Sequence, residues 1–173
     1  MNVLIACVGN IFLGDDGFGV EVAVSLNKRQ LPAGVSVKDY GIRGFDLAYA
    51  LHDPWDLVII VDALSRGEAA GTIYVMEPEL NGPASAETAI NPHGMDPVRV
   101  LSLAASMGGI SAQVLVVGCE PHDFGDELEG RMGLSVPVQA VVEEACNTIL
   151  DLVATKASET RQANAVLLQT VER

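Results

Sequence analysis

The residues able to do chemistry are few, and their surroundings mark them. Gly14-Asp15-Asp16-Gly17 puts two carboxylates side by side between glycines. Asp62 stands directly after the apolar run Leu57-Val58-Ile59-Ile60-Val61, and His93 lies between Pro92 and Gly94. Asp16, Asp62 and His93 together would make a three-ligand set with open coordination positions. Such a set suits a borderline divalent ion such as Ni²⁺ or Zn²⁺ better than Cu(I), because it contains no thiolate.

Each of these residues has a plainer reading. Asp16 can be a helix N-cap, which needs no further role. Asp15 can cap equally well, so two adjacent acids exceed that need. Asp62 is more telling, because a carboxylate closing a buried strand costs desolvation unless it is solvated or paired. His93 can be a solvent-exposed loop residue. His52 reads as a cap-type residue after a helix, and His122, in Cys119-Glu120-Pro121-His122-Asp123, is a secondary candidate at a strand end. The three cysteines, Cys7, Cys119 and Cys146, lack CxxC spacing and read as buried free thiols of a reducing compartment.

Other chemistries are excluded by pattern. Gly9 and Gly14 have the spacing of a phosphate loop, but Asp15-Asp16 follow where Lys and Ser/Thr are needed. Anions at that point reverse the charge that a phosphate site requires. No G-x-G-x-x-G follows the first strand, and neither H-E-x-x-H nor G-x-S-x-G occurs. The 173 residues carry 23 acidic against 10 basic side chains, a formal charge of −13, which argues against nucleic acid and anionic lipid as partners. No apolar stretch is long enough to span a membrane, and the N-terminus lacks the basic region of a signal peptide. A cytoplasmic location is expected.

The elements that must position these residues alternate. Residues 2–8 form a strand ending at Gly9-Asn10, and a helical pattern runs from Asp16 to Lys28-Arg29 before Pro32 and Gly34. Val35–Val37 is a strand reaching Asp39, Phe45–Leu51 a helix, and Leu57–Val61 a strand buried on both faces that stops at Asp62. Thr72–Met76 follows after a connection at the lower limit for a helical crossover, so it is expected to run antiparallel. Residues 77–95 read as a loop, Asp96-Pro97 opens a helix ending at Gly108-Gly109, and Gln113–Val117 is a strand. Ser135 and Pro137 open the last helix. The order β-α-β-α-β-β-α-β-α is that of an open α/β sheet covered on both sides, in which ligands bind beyond the carboxyl ends of the strands. One domain over residues 1–155 is expected, with 156–173 a helical extension or flexible tail.

At Val8-Gly9-Asn10-Ile11-Phe12-Leu13-Gly14-Asp15-Asp16-Gly17-Phe18-Gly19 the chain resembles the opening motif of the hydrogenase maturation endopeptidases. Val61-Asp62-Ala63 is similar to that family's second acidic position and Pro92-His93 to its histidine; Glu120-Pro121 and Gly133-Leu134-Ser135 also fit. The likeness spans residues 1 to about 153. It implies a three-layer α/β/α sandwich with a mixed five-stranded sheet, mostly parallel with one antiparallel strand. It implies an endopeptidase that removes the C-terminal extension of a nickel–iron hydrogenase large-subunit precursor after nickel insertion. Asp16, Asp62 and His93 would then bind nickel carried by the precursor, with zinc or cadmium able to take the same place, and the protein would be a monomer. Asp16 and Asp62 would also be the catalytic pair, positioning or deprotonating the attacking water.

Two departures stand out. Many relatives have Glu at the position of Asp16, and many have Gly-Thr where this chain has Gly41-Ile42-Arg43-Gly44. Arg43 either contacts the substrate chain, orients a carboxylate or is an ordinary surface residue. The competing functions are a non-enzymatic nickel-binding maturation chaperone or checkpoint, and a nucleotide-binding module.

Overall fold

The computed structural model describes residues 1–78, 97–125 and 128–171, with residues 164–171 described by backbone alone. The element order is β1 (Val3–Val8), a 3-10 turn (Gly14–Gly17), α1 (Phe18–Leu26), β2 (Val35–Gly41), α2 (Gly44–Ala50), β3 (Leu57–Ala63) and β4 (Ile73–Met76). It continues with α3 (Pro97–Met107), β5 (Gln113–Cys119), α4 (Val136–Ala140) and α5 (Val142–Val171).

The apolar runs of β1 and β3 are buried along their whole length, and β5 from Val114 onward. Strands covered on both faces need such runs, because neither side of the pleat meets water. The sheet order is β2-β1-β3-β5-β4. β2, β1, β3 and β5 are mutually parallel, and β4 pairs antiparallel with β5, as its short connection requires.

Alternation along β1 sends Val3, Ile5 and Cys7 to one core and Leu4, Ala6 and Val8 to the other. The first core is closed by Phe18, Val22 and Leu26 of α1 with Ala145, Cys146 and Ile149 of α5. The second is closed by Leu47 of α2 and by Val100, Leu101 and Ala104 of α3. The result is the expected three-layer sandwich with its core on both sheet faces. Each fully buried Leu or Ile contributes about 1.5–3 kcal/mol of transfer free energy, so the sheet is a rigid base for whatever stands at its edge.

Several boundaries differ from the sequence reading, and the differences matter for the site. β2 runs on to Gly41, so Asp39 lies inside an edge strand, exposed, with its Oδ1 accepting the Gly41 N–H at 2.8 Å. β3 runs to Ala63, which makes Asp62 its penultimate residue. α1 begins at Phe18 rather than Asp16. It also ends earlier, at Leu26, leaving Arg29 to pair with Glu143 and to donate to Asn147 at 2.8 Å. The last helical segment is broken at Val141 into α4 and α5. Asp96 and the loop expected over 77–95 fall largely outside the described residues, although α3 does open with Pro97.

Candidate active site

The carboxyl ends of the parallel strands form one edge, and two glycines allow the Asp16 turn to lie on it. Gly9, just past β1, has φ +140°, and a Cβ there would fall 1.9 Å from the Asp16 carbonyl oxygen. A Cβ on Gly19 would meet Val8 O at 2.1 Å and Val61 O at 2.6 Å. The start of α1 is therefore packed against the ends of both β1 and β3. These strands are neighbours, with Cys7 opposite Val61, so Asp62 follows one residue beyond that pair. Asp16 and Asp62 thus come to adjacent strand ends, each only 5% exposed.

Among the described residues four acids are buried along this edge, and they fall into two kinds. Asp15, fully buried, is saturated with donors: the N–H of His122 at 2.8 Å, Asp123 at 3.0 Å and Ser135 at 2.6 Å, and the Ser135 hydroxyl at 2.8 Å. Burial pushes its carboxyl up, but these donors outweigh burial and hold it below the ordinary value of 3.8. Glu120 accepts from the N–H of Arg66 at 2.8 Å and Gly67 at 3.1 Å, from Ser65 Oγ at 3.4 Å, and from the Tyr74 hydroxyl. It too is lowered, burial being outweighed by Tyr74 and the backbone donors.

Asp16 is of the other kind. Among the described residues its carboxylate has a single partner, the Asn10 N–H, which donates to Oδ2 at 2.9 Å. Burial raises its pKa, and that one bond offsets the rise only in part. Asp62 accepts the Ala63 N–H at 2.8 Å through Oδ1 and takes part in further interactions. An under-donated buried carboxylate beside a second carboxylate is suited to a cation or a water, and the saturated Asp15 is not.

Asp16 does not cap α1. The helix is preceded by Gly17, which provides no side-chain cap, and the Asp16 carboxylate reaches back to Asn10 instead. Ser135 does occupy the N-cap of α4, yet its hydroxyl is given to Asp15 rather than to the helix. His93 lies outside the described residues, and among those described no group of three or more His, Cys, Asp or Glu is placed to hold a metal. His52 is exposed after α2, its N–H donating to Tyr49 O at 3.1 Å. His122 serves through its backbone N–H, not its imidazole.

Arg43 is fastened to the end of β2. Its Nε donates to Tyr40 O at 3.0 Å and its Nη2 to Asp39 O at 2.6 Å, with Asp46 at 3.9 Å. It lines an open cleft of about 350 Å³ with Lys38, Asp39, Tyr40, Asp46 and Ala50. The three cysteines are free and buried. Burial pushes the Cys119 thiol up to about 12, with Asp15 and Glu120 adding to the rise, and Cys7 is raised further still. Raised, buried thiols of this kind stay protonated near neutral pH, which does not suit a nucleophile. No helix among the described residues is long and apolar enough to cross a membrane.

Comparison with known proteins agrees with this architecture. A family model for the hydrogenase maturation proteases matches residues 20–152. The hydrogenase 2 maturation protease of Escherichia coli K12 is 33% identical over 152 residues, covering 87% of this chain and 89% of that protein. The hydrogenase expression/formation protein HoxM of Azotobacter vinelandii is 32% identical over 157 residues, 88% of this chain and 72% of that one. Among solved structures, the hydrogenase maturating endopeptidase HybD from E. coli superposes with a TM-score of 0.73 at 28% identity, over 90% of this chain and 94% of that one. A hydrogenase 2 maturation peptidase from a Thaumarchaeota archaeon gives 0.67 at 29% identity, over 89% and 99%. With the family model, the relatives and the fold in agreement, the chain belongs to the hydrogenase maturation proteases, a family of endopeptidases.

Proposed function

We propose that this protease removes the C-terminal extension of a nickel–iron hydrogenase large-subunit precursor once nickel is in place, and that Asp16, Asp62 and His93 receive that nickel. The observation that carries the reading is the unequal treatment of two adjacent buried acids. Among the described residues Asp15 takes four hydrogen bonds, whereas the Asp16 carboxylate takes one and lies near the strand end that carries Asp62. A buried anion with so few donors is stabilised by a cation brought to it. The nickel is cargo of the substrate: it reports that the precursor is loaded and holds its tail against the protease. Zinc or cadmium could take the same place in the purified protein. Asp16 and Asp62 then orient the attacking water or accept its proton, the role of a general base. Three buried free thiols suit a cytoplasmic enzyme, and we read it as a monomer.

The test uses purified precursor with and without nickel. Nickel-loaded precursor should lose its C-terminal extension, read by mass spectrometry, and metal-free precursor should stay intact. Full-length loaded precursor persisting beside a relative that cleaves it overturns the proposal. Asp62→Asn and His93→Ala should abolish processing while leaving the circular dichroism spectrum unchanged.

A further inference from the structure

Exposed large apolar side chains are concentrated around the acidic pair. Phe12 is 58% exposed, Ile42 66%, Phe45 71%, Tyr49 65% and Met132 71%, with Ile11 beside them at 39%. Leu128 at 97% and Val136 at 85% are the most exposed and lie on the stretch after β5, whereas Met1, Val24, Val75 and Met107 reach only 38–46%. The exposed group lies on segments leaving the carboxyl ends of β1, β2 and β5, parallel strands whose ends share one edge. Hydrogen bonds tie these segments into one surface. Gly9 N donates to Gly41 O at 3.0 Å, joining the β1 loop to the Ile42 segment, and Arg131 N donates to Phe12 O at 2.7 Å, joining it to Met132. Phe45 and Tyr49 are one helical turn apart on α2 and continue the stripe from Ile42.

Six such side chains offer on the order of 700 Å² of apolar surface, taking roughly 200 Å² for each when fully exposed. That approaches the ~800 Å² each partner brings to a standard interface. Arg43, Asp46, Asp123 and Arg131, the last two paired at 2.7 Å, give it a polar rim. Exposed apolar side chains gathered on joined segments in this amount mark a protein partner. Their position around Asp16 and Asp62 names which one.

We infer that this surface docks the folded body of the precursor, so that the protease recognises an apolar face around the metal-bearing tail as well as the metal and the tail. The inference rests on the proposed function and adds the partner surface to it. The occupant is a folded protein, because the area extends across three loops and a helix, far wider than one extended peptide.

The experiment compares wild type, Phe45→Glu/Tyr49→Glu, Phe12→Glu and, as a distant surface control, Val24→Glu, each checked for an unchanged thermal transition. With nickel-loaded precursor, KM should rise about tenfold or more in the first two variants with kcat unchanged, the mark of lost docking. Val24→Glu should match wild type. Wild type that cleaves, beside Phe45→Glu/Tyr49→Glu and Phe12→Glu variants with unchanged KM, overturns the docking surface and leaves the function standing. Wild type that does not cleave overturns the function instead. A concentration-dependent wild-type dimer that Phe45→Glu/Tyr49→Glu abolishes without changing KM assigns the surface to a second copy and likewise overturns the inference.

Discussion

Asp15 and Asp16 are consecutive in one 3-10 turn, yet their carboxylates leave it for different purposes. Asp15 reaches the loop after β5 and the start of α4, where four hydrogen bonds hold it ionised. Among the described residues Asp16 keeps one bond, to Asn10. The first acid fixes the turn that presents the second.

Removing the fixing acid should cost stability. Asp15→Ala strands the Ser135 hydroxyl and the N–H groups of His122, Asp123 and Ser135, and bonds to a charged acceptor contribute about 1.5–3 kcal/mol each before overlap. A loss of about 3–5 kcal/mol is expected in urea unfolding. Because the folded pKa of Asp15 is depressed, its contribution is complete above its ordinary value of 3.8 and fades as the pH falls through the folded value. Asp15→Ala should therefore show a shallower loss of stability in acid than wild type. An equal slope would remove Asp15 from that role.

Asp16 has the opposite sign. Its raised pKa means the folded state binds the proton more tightly than the unfolded one, so the ionised carboxylate lowers stability at neutral pH. Asp16→Asn should unfold at the same temperature as wild type or higher at pH 7, and the difference should vanish in acid below 3.8, where wild type is protonated in both states. Processing of nickel-loaded precursor should be lost. A clear drop in the thermal midpoint at pH 7 would contradict the burial cost assigned to this ionised carboxylate.

Gly19 sets helix propensity against packing. Alanine in an exposed helix interior is favoured over glycine by about 1 kcal/mol. Here the added Cβ would lie 2.1 Å from Val8 O and 2.6 Å from Val61 O, both rigid backbone atoms. Packing should win, and Gly19→Ala should be destabilised by about 1–3 kcal/mol. Because α1 must move away from β1 and β3, the Asp16 turn moves with it, and kcat/KM should fall further than the stability loss alone explains.

Glu120 anchors the connection between β3 and β4. In Glu120→Gln one acceptor oxygen becomes an amide donor facing Arg66 N–H, Gly67 N–H or the Tyr74 hydroxyl. The loss should be about 1–3 kcal/mol, with faster amide hydrogen exchange concentrated at Arg66 and Gly67. Unchanged exchange there would show that the connection is held by other contacts.

How much of this was legible beforehand depends on how far apart the partners are in the chain. The apolar runs of β1, β3 and β5 announce buried strands through composition alone. The short link before β4 forces the antiparallel pairing, and Asp62 stands out because it closes an apolar run. The resemblance at Val8–Gly19 supplied the family, which the comparisons then established. His93 remains an expectation from that resemblance, outside the described residues.

Local sequence could not separate Asp15 from Asp16, since both are aspartates in the same glycine-flanked turn. The partners that distinguish them lie 107, 108 and 120 residues away for Asp15 and six residues away for Asp16. Nor could it place Arg43, whose anchoring carbonyls become available only once β2 extends to Gly41. Sequence determined the strands, their burial and the acids at their ends, because those follow from side-chain type and short-range periodicity. The tertiary structure decided which carboxylate is saturated and which keeps a single donor among the described residues, because that is settled by donors the fold brings from distant parts of the chain.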